Sequence, residues 1–409
     1  MNRFIVEHQF LLRFALLQVF AGISVGVAKL TTSLFAVSLQ SSPAELGIIA
    51  AAQSAGILVM SLPMGVLVDQ FGPHRLFITG SLLAACVYAV IGWATGPLLL
   101  ALCTFLISFC MPFRFVSMNA VFMHQLTRVG LGKAGWFRAT HMIGMFLLGP
   151  FIAIACLEAF DVKATYLLVS MAFLLTALMA PSVMRVYRPL TQHTEEKFSL
   201  REWGNQFLLM KENHELRTIS LIEFSSQAVM QFYSFFIVVI AISAYGFSAA
   251  AAAGLVTLQG AVFVALLFGW GLLVSRVGIA MSYRLAFVLI AISLLLLGTG
   301  GGTWTLWLAA GTLGIGMGVL QVVNIGRFAV IGSVLGRGRI AGVNAFVGPA
   351  GGLFGGIAGG ALGHLFGLQV LFLLFLPIFM FFIWDQFRKP LVAEAELQPS
   401  EETQMEAGG

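Results

Sequence analysis

Four charged side chains lie inside long apolar runs of this sequence: Lys29, Arg114, Glu223 and Arg327. Each costs roughly 2.5 to 3.5 kcal/mol to place at the centre of a bilayer, so each is a candidate for function before it is a candidate for packing. Three cations against one acid describe a site with excess positive charge, and unpaired buried charge is expensive, so the expected partner is an anion. Gln227, Gln231 and Asn324 add neutral hydrogen-bonding groups on the same segments, as do Asn119 and Gln321. Structural alternatives stand beside each charge. Lys29 snorkels or binds, and Arg114 pairs structurally or meets cargo. Arg327 lies about a turn from the end of its segment, where it can reach the interface. Glu223 falls in the second turn of its helix, where an acid complements the helix dipole. His124 and His141 sit near segment ends and read as packing residues.

Other chemistries find no support. No HExxH, GxSxG, P-loop or paired-carboxylate constellation occurs, so an enzyme is not expected, and neither is a cofactor. Cys86, Cys103, Cys110 and Cys156 all fall in apolar runs without ligand spacing, which argues against a disulfide framework and against a metal site.

The elements that position these charges are membrane helices. The 409-residue chain is 59% hydrophobic and 10% charged, with a mean hydropathy of +0.96, too few charges to solvate a globular surface. Runs long enough to span recur at Leu11–Leu39, Leu46–Val68, Leu76–Thr95, Leu98–Met123, Ala139–Leu157 and Tyr166–Val183. A second six follow at Ile219–Ile242, Ala250–Val274, Leu285–Leu297, Leu306–Ile331, Ala341–Leu362 and Leu368–Trp384. This predicts an all-α membrane protein organised as a first bundle over 1–184, a polar central loop over 185–217, a second bundle over 218–390 and an acidic, disordered tail over 391–409. The first run carries no small-residue cleavage site and reads as a retained helix. Lysine and arginine in the short loops segregate to one side, leaving only Lys163 on the other, which predicts an even number of spans and both termini in the cytoplasm. The net charge of +5 is therefore a topology signal, and nucleic acid is not an expected partner.

The two halves echo each other. GVLVDQFG from Gly65 to Gly72 follows the second span, and GLLVSRVG from Gly271 to Gly278 follows the eighth. Phe113-Arg114-Phe115 in the fourth span answers Gly326-Arg327-Phe328 in the tenth. Gly149-Pro150 in the fifth answers Gly348-Pro349 in the eleventh. Duplication at a fixed span offset is the pattern of parallel transporter halves. The octet Gly65, Leu67, Asp69 and Gly72, with Arg75 after it, resembles the loop motif between helices two and three of the major facilitator superfamily, over essentially the whole order of spans. Gln70 and Ser275 depart from that motif.

That resemblance implies twelve transmembrane helices in two six-helix bundles related by a pseudo-two-fold axis. It implies a central cavity lined by helices one, four, seven and ten, where Lys29, Arg114, Glu223 and Arg327 would fall. It gives Asp69 the role of latching the halves in one conformation by bonding a helix end; Asp69 and, as the one buried acid among nearby cations, Glu223 are the proton-coupling candidates. It also makes Gly149-Pro150, preceded by Gly144, an eroded form of the fifth-helix motif of proton-exchanging exporters, with GPAGG at Gly348–Gly352 the fuller version. The eleventh span carries two glycine stripes at spacings of four, Gly348/352/356/360 and Gly351/355/359/363, which predict close helix approach, as do Gly22 and Gly26 in the first. The expected function is alternating-access export of a small anionic or zwitterionic metabolite, for example a carboxylate siderophore, in exchange for protons. The chain would act as a monomer in a bacterial cytoplasmic membrane. Multidrug efflux, proton-coupled organic anion uptake, and a membrane-embedded enzyme or signalling protein are the alternatives.

Overall fold

The computed structural model describes residues 2–129, 136–184 and 208–388. The expected tail and most of the expected central loop fall on 389–409 and 185–207, outside the described residues. The described residues form twelve principal helical segments, six in each half. In the first half they are α1 (Asn2–Ser38), α2 (Pro43–Phe71), α3 (Pro73–Ile91) and α4 (Pro97–Val129). The fifth span, α5, joins Trp136–Met142, a π-helical turn at Ile143–Leu148, and Gly149–Ala159; α6 is Val162–Met179, followed by the short turn Pro181–Met184. The second half comprises α7 (His214–Tyr245), α8 (Ala249–Val277), α9 (Ile279–Thr299), α10 (Thr303–Leu335), α11 (Arg337–Phe366) and α12 (Phe372–Arg388). Eleven of these helices are long and apolar enough to cross a membrane. The twelfth, α12, has 17 residues, about 26 Å of helix, a little short of the roughly 30 Å hydrocarbon core. This is a multi-pass integral membrane protein.

The start of α7 shows why one boundary differs from the expectation. Asn213 caps the helix, its side chain accepting from the Leu216 N–H at 2.8 Å, so His214 to Arg217 are helical and not loop. Glu223 is then in the third turn, beyond the reach of the helix-start dipole, and Glu215 is the acid of the first turn.

The duplication in sequence is a duplication of caps. Ser42 opens α2 and Ser248 opens α8 with the same backbone angles, each hydroxyl accepting the N–H three residues on. At the other ends of these helices Gly72 (φ 79°) and Gly278 (φ 83°) turn the chain directly into α3 and α9. A side chain is strained at that φ, which explains the terminal glycine of both octets. Gly72→Ala should cost about 1–3 kcal/mol, visible as a lower unfolding temperature of the purified protein; an unchanged transition would remove strain as the reason for this glycine.

The fifth span widens into a π turn because Pro150 cannot donate to the carbonyl four residues back and its ring crowds that carbonyl. The Gly149 N–H bonds Gly144 O instead, five residues back. This turn lies against α1, where Gly22 and Gly26 pack on it so closely that an added Cβ would sit 2.1 Å from His141 O and 2.2 Å from Met145 O.

Each half packs mainly on itself, α2 on α4 and α3 on α6 in the first, α7 on α11 and α8 on α10 in the second. The halves meet along α2–α11, α5–α8 and α1–α7. At one end, the end of the α1–α2 and α11–α12 turns, a single hydrophobic cluster runs through both halves. At the opposite end, where the two octets lie, the apolar core splits. Leu11, Phe14 and Phe122 form one cluster of the first half and Met64 and Val68 a second, whereas Leu216, Phe328 and Val343 belong to one of the second half. Gly65 and Gly271, expected to permit close approach, have open space around them there. Among the described residues, the apolar contact between the halves is continuous at one end, the closed end below, and not at the end that carries the octets, the parted end below.

The seam of the closed end is the α2–α11 contact, and the two glycine stripes of α11 divide the labour. Gly352, Gly356 and Gly360 face Ser54, Ala51 and Gly47 of α2 in the other half. Gly351, Gly355 and Gly359 face Phe224, Ala228 and Phe236 of α7 in their own half. Gly348, at the end of the first stripe, has among the described residues only the Gln227 side chain near it, 3.8 Å from an added Cβ, and Pro349 lies inside the helix.

Candidate functional site

Between the halves lies a cavity of about 130 Å³, bordered by α1, α5, α7, α8 and α10. A smaller space of about 20 Å³ continues from it toward α2, sharing Lys29, Met145, Phe146 and Ser234. Lys29 is the one charged side chain on these walls among the described residues. It is half-buried, and it makes no ion pair among the described residues. Around it stand the amides of Gln53, Gln227, Gln231 and Gln321, the hydroxyls of Ser226 and Ser234, four methionines at 142, 145, 230 and 317, and the rings of Phe146 and Phe263. Polar groups are few and face an adaptable thioether and aromatic wall, the usual build of a small-molecule site.

Gln231 stitches the halves beneath this cavity. Its Nε2 donates to Ala50 O at 3.2 Å and to Gln53 Oε1 at 3.0 Å, both on α2. Gln227 turns the other way, donating from Nε2 to Glu223 Oε1 at 2.9 Å. Glu223, 3% exposed, also accepts from Asn324 Nδ2 at 3.0 Å through Oε2, and Asn324 Oδ1 accepts from the Tyr283 hydroxyl at 2.9 Å. A chain of hydrogen bonds thus runs from the cavity wall through α7 and α10 to α9. Both carboxylate oxygens of Glu223 accept amide N–H groups.

The remaining expected site residues lie elsewhere. Arg327 pairs with Glu215 at the parted end, its guanidinium 5.8 Å from the Tyr283 ring centroid, and it does not border the cavity. Arg114 points into the interior of the first half and is 4% exposed. Its Nη2 donates to Thr176 Oγ1 at 3.1 Å, and its guanidinium lies 4.0 Å from the Phe173 centroid and 5.3 Å from that of Phe77. Nη1 has no hydrogen-bond partner among the described residues. Two aromatic faces contribute roughly 0.5–2 kcal/mol each, less than the several kcal/mol that desolvating an ion costs. Asp69 and Arg75 are exposed at the parted end. Of the four intramembrane charges, then, the fold brings Lys29 to the cavity and Glu223 one hydrogen bond behind it.

Gln53, Ser226, Ser234, the four methionines, Tyr283 and Glu215 are absent from the sequence reading. Gln53 had a signal: with Ser54 it interrupts the apolar run from Ile48 to Met60. Glu215 had none, since its partner is 112 residues away.

The comparisons with known proteins agree with this architecture. The chain superposes on a structure of a variant of the nucleoside transporter NupG with a TM-score of 0.75 at 15% identity, covering 93% of this chain and 99% of that one. It superposes on the human organic anion transporter MFSD10 with a TM-score of 0.67 at 13% identity, covering 93% and 99%. A search of curated proteins finds no match to the sequence. The family model described as Major Facilitator Superfamily matches residues 14–325, more than half of the chain, and the chain belongs to that superfamily of membrane transporters.

Proposed function

We propose that this transporter carries a small organic anion with a single centre of negative charge, or a zwitterion presenting one, and exchanges it for protons as an exporter. The observation that supports the reading is Lys29: an uncompensated cation on the wall of the central cavity, with amides around it and no acid beside it. The same walls argue against cationic drugs. The fold itself does not choose, since one solved relative is named for nucleosides and another for organic anions. Both termini are taken as cytoplasmic from the lysine and arginine distribution. The parted end then faces the cytoplasm, where a metabolite such as a carboxylate siderophore would enter, and the membrane is a bacterial cytoplasmic one. The protein would work as a monomer, with Asp69 bonding a helix end when the octet end closes.

Glu223 is the proton carrier in this reading. A proton on Oε1 weakens that oxygen as an acceptor of the Gln227 N–H, and a proton directed at Gln227 is accepted only if the amide turns over; Gln227 borders the cavity. Protonation thereby changes the groups that the cargo meets, a direct form of coupling between two sites. Glu223→Gln should leave cargo-for-cargo exchange running while abolishing the response to an imposed pH gradient. The test is transport by purified protein in liposomes against a panel of anionic, zwitterionic, neutral and cationic metabolites, with the gradient imposed in either direction. A cationic or neutral cargo sinks the anion reading, and a pH response preserved in Glu223→Gln sinks the role of Glu223.

A further inference from the structure

We propose that the enclosed space beside Arg114, inside the first half and apart from the cargo cavity, is a binding site for one small monovalent inorganic anion. Arg114 borders this space with Gln18 of α1 and His141 of α5, between walls that include Phe77, Met111 and Phe115. None of these residues borders the central cavity. The space measures about 10 Å³, room for a single water-sized particle. A chloride is slightly larger, and the methionine wall is of the kind that gives.

The charge is what selects an anion. Arg114 is 4% exposed, and its Nη1 has no hydrogen-bond partner among the described residues. Among the described residues no carboxylate borders the space, and Arg114 makes no ion pair. A water molecule there would satisfy the hydrogen bond and leave a net charge in a membrane-embedded bundle. An anion does both. Arginine stays protonated wherever it is buried, so the chain cannot escape the problem by losing the proton. A bound ion would tie α1, α4 and α5 of the first half together, so its effect falls on the stability of that half and not on the affinity for cargo. The inference therefore stands apart from the reading of Lys29.

The experiment uses the purified full-length chain in detergent without cargo, at constant ionic strength, with chloride replaced stepwise by gluconate, which is too large for the space. Chloride should raise the unfolding temperature saturably, by about 2 °C or more. The rise should vanish in Arg114→Gln and persist in Lys29→Gln. Should Arg114→Gln fail to fold, Gln18→Leu keeps the charge and crowds the space, and it should weaken the apparent chloride affinity at least tenfold. A structure determined in bromide should show an anomalous peak within hydrogen-bond distance of Arg114 Nη1. Equal unfolding temperatures in chloride and gluconate overturn the proposal. So does a chloride response that survives at position 114 or disappears at Lys29, and so does a bromide structure with no peak beside Arg114.

Discussion

Lys29→Gln should weaken binding of the anionic cargo by about 30-fold to more than 1,000-fold, the equivalent of roughly 2–5 kcal/mol for removing one partner of a desolvated charge pair. Lys29 has no acid beside it on the cavity wall to share the loss, and the surrounding groups are neutral amides, hydroxyls, thioethers and rings. Glutamine keeps a hydrogen-bonding end of similar reach, so the change reports charge more than shape. Arg114→Gln and Arg327→Gln make the contrast, since neither borders the cavity and each should alter cargo affinity by less than about threefold, the range of surface and remote substitutions. Calorimetry on the purified variants, with the cargo identified in liposomes, separates the three. If Lys29→Gln binds an anionic cargo as tightly as the unchanged protein, the cavity does not recognise charge through Lys29.

Hydropathy treats Lys29 and Arg114 alike, as cations in the middle of apolar runs, and that is why the sequence ranks them together. Their helical neighbours tell them apart. Lys29 has Gly26 three residues before it and Ser33 four after, a small and polar stripe such as a cavity wall needs. Arg114 has Met111 and Met118 at the same offsets, an apolar stripe that points into a bundle, and the fold places it between Phe77 and Phe173. The twelve spans, the two halves and the octets were legible because bilayer thickness and glycine conformation act locally on the chain. Glu223 was legible as a buried acid, but not its partners, because Asn324 is 101 residues away and meets it only through helix packing. The π turn had a trace in the sequence, a proline after glycine within a helix, whose consequence for the ladder is local and could have been drawn. What could not be drawn was which helix each glycine stripe of α11 would meet, since spacing fixes a face and says nothing of what lies opposite.

That division of the stripes sets up an expected result on the conformational cycle. A side chain at Gly356 would put its Cβ 2.4 Å from the Ala51 N of α2, and backbone cannot yield as a flexible side chain can. Because α2 and α11 belong to different halves, Gly356→Leu can relieve the clash by parting the halves at the closed end, a movement that alternating access requires in any case. Overpacking of this kind costs about 1–3 kcal/mol, which translates into a roughly fivefold to 150-fold shift of a two-state equilibrium at 1.4 kcal/mol per tenfold. The variant should therefore fold, populate the state that is open at the α1–α2 end, and transport at least about fivefold more slowly because it closes there less often. Gly355→Leu is the control, since its Cβ would lie 2.3 Å from Ala228 O of α7 in the same half, where no functional motion offers relief. It should lower stability and yield with no gain of the second state. Spin labels on cysteines introduced at Ala44 and His364, both exposed near the closed end of the α2–α11 seam, read the distance directly. A longer distance in Gly356→Leu but not in Gly355→Leu supports a gate built from the first stripe. Unchanged distance and normal transport in Gly356→Leu would mean that the seam tolerates a leucine, and that the closeness of α2 and α11 is packing without a role in the cycle.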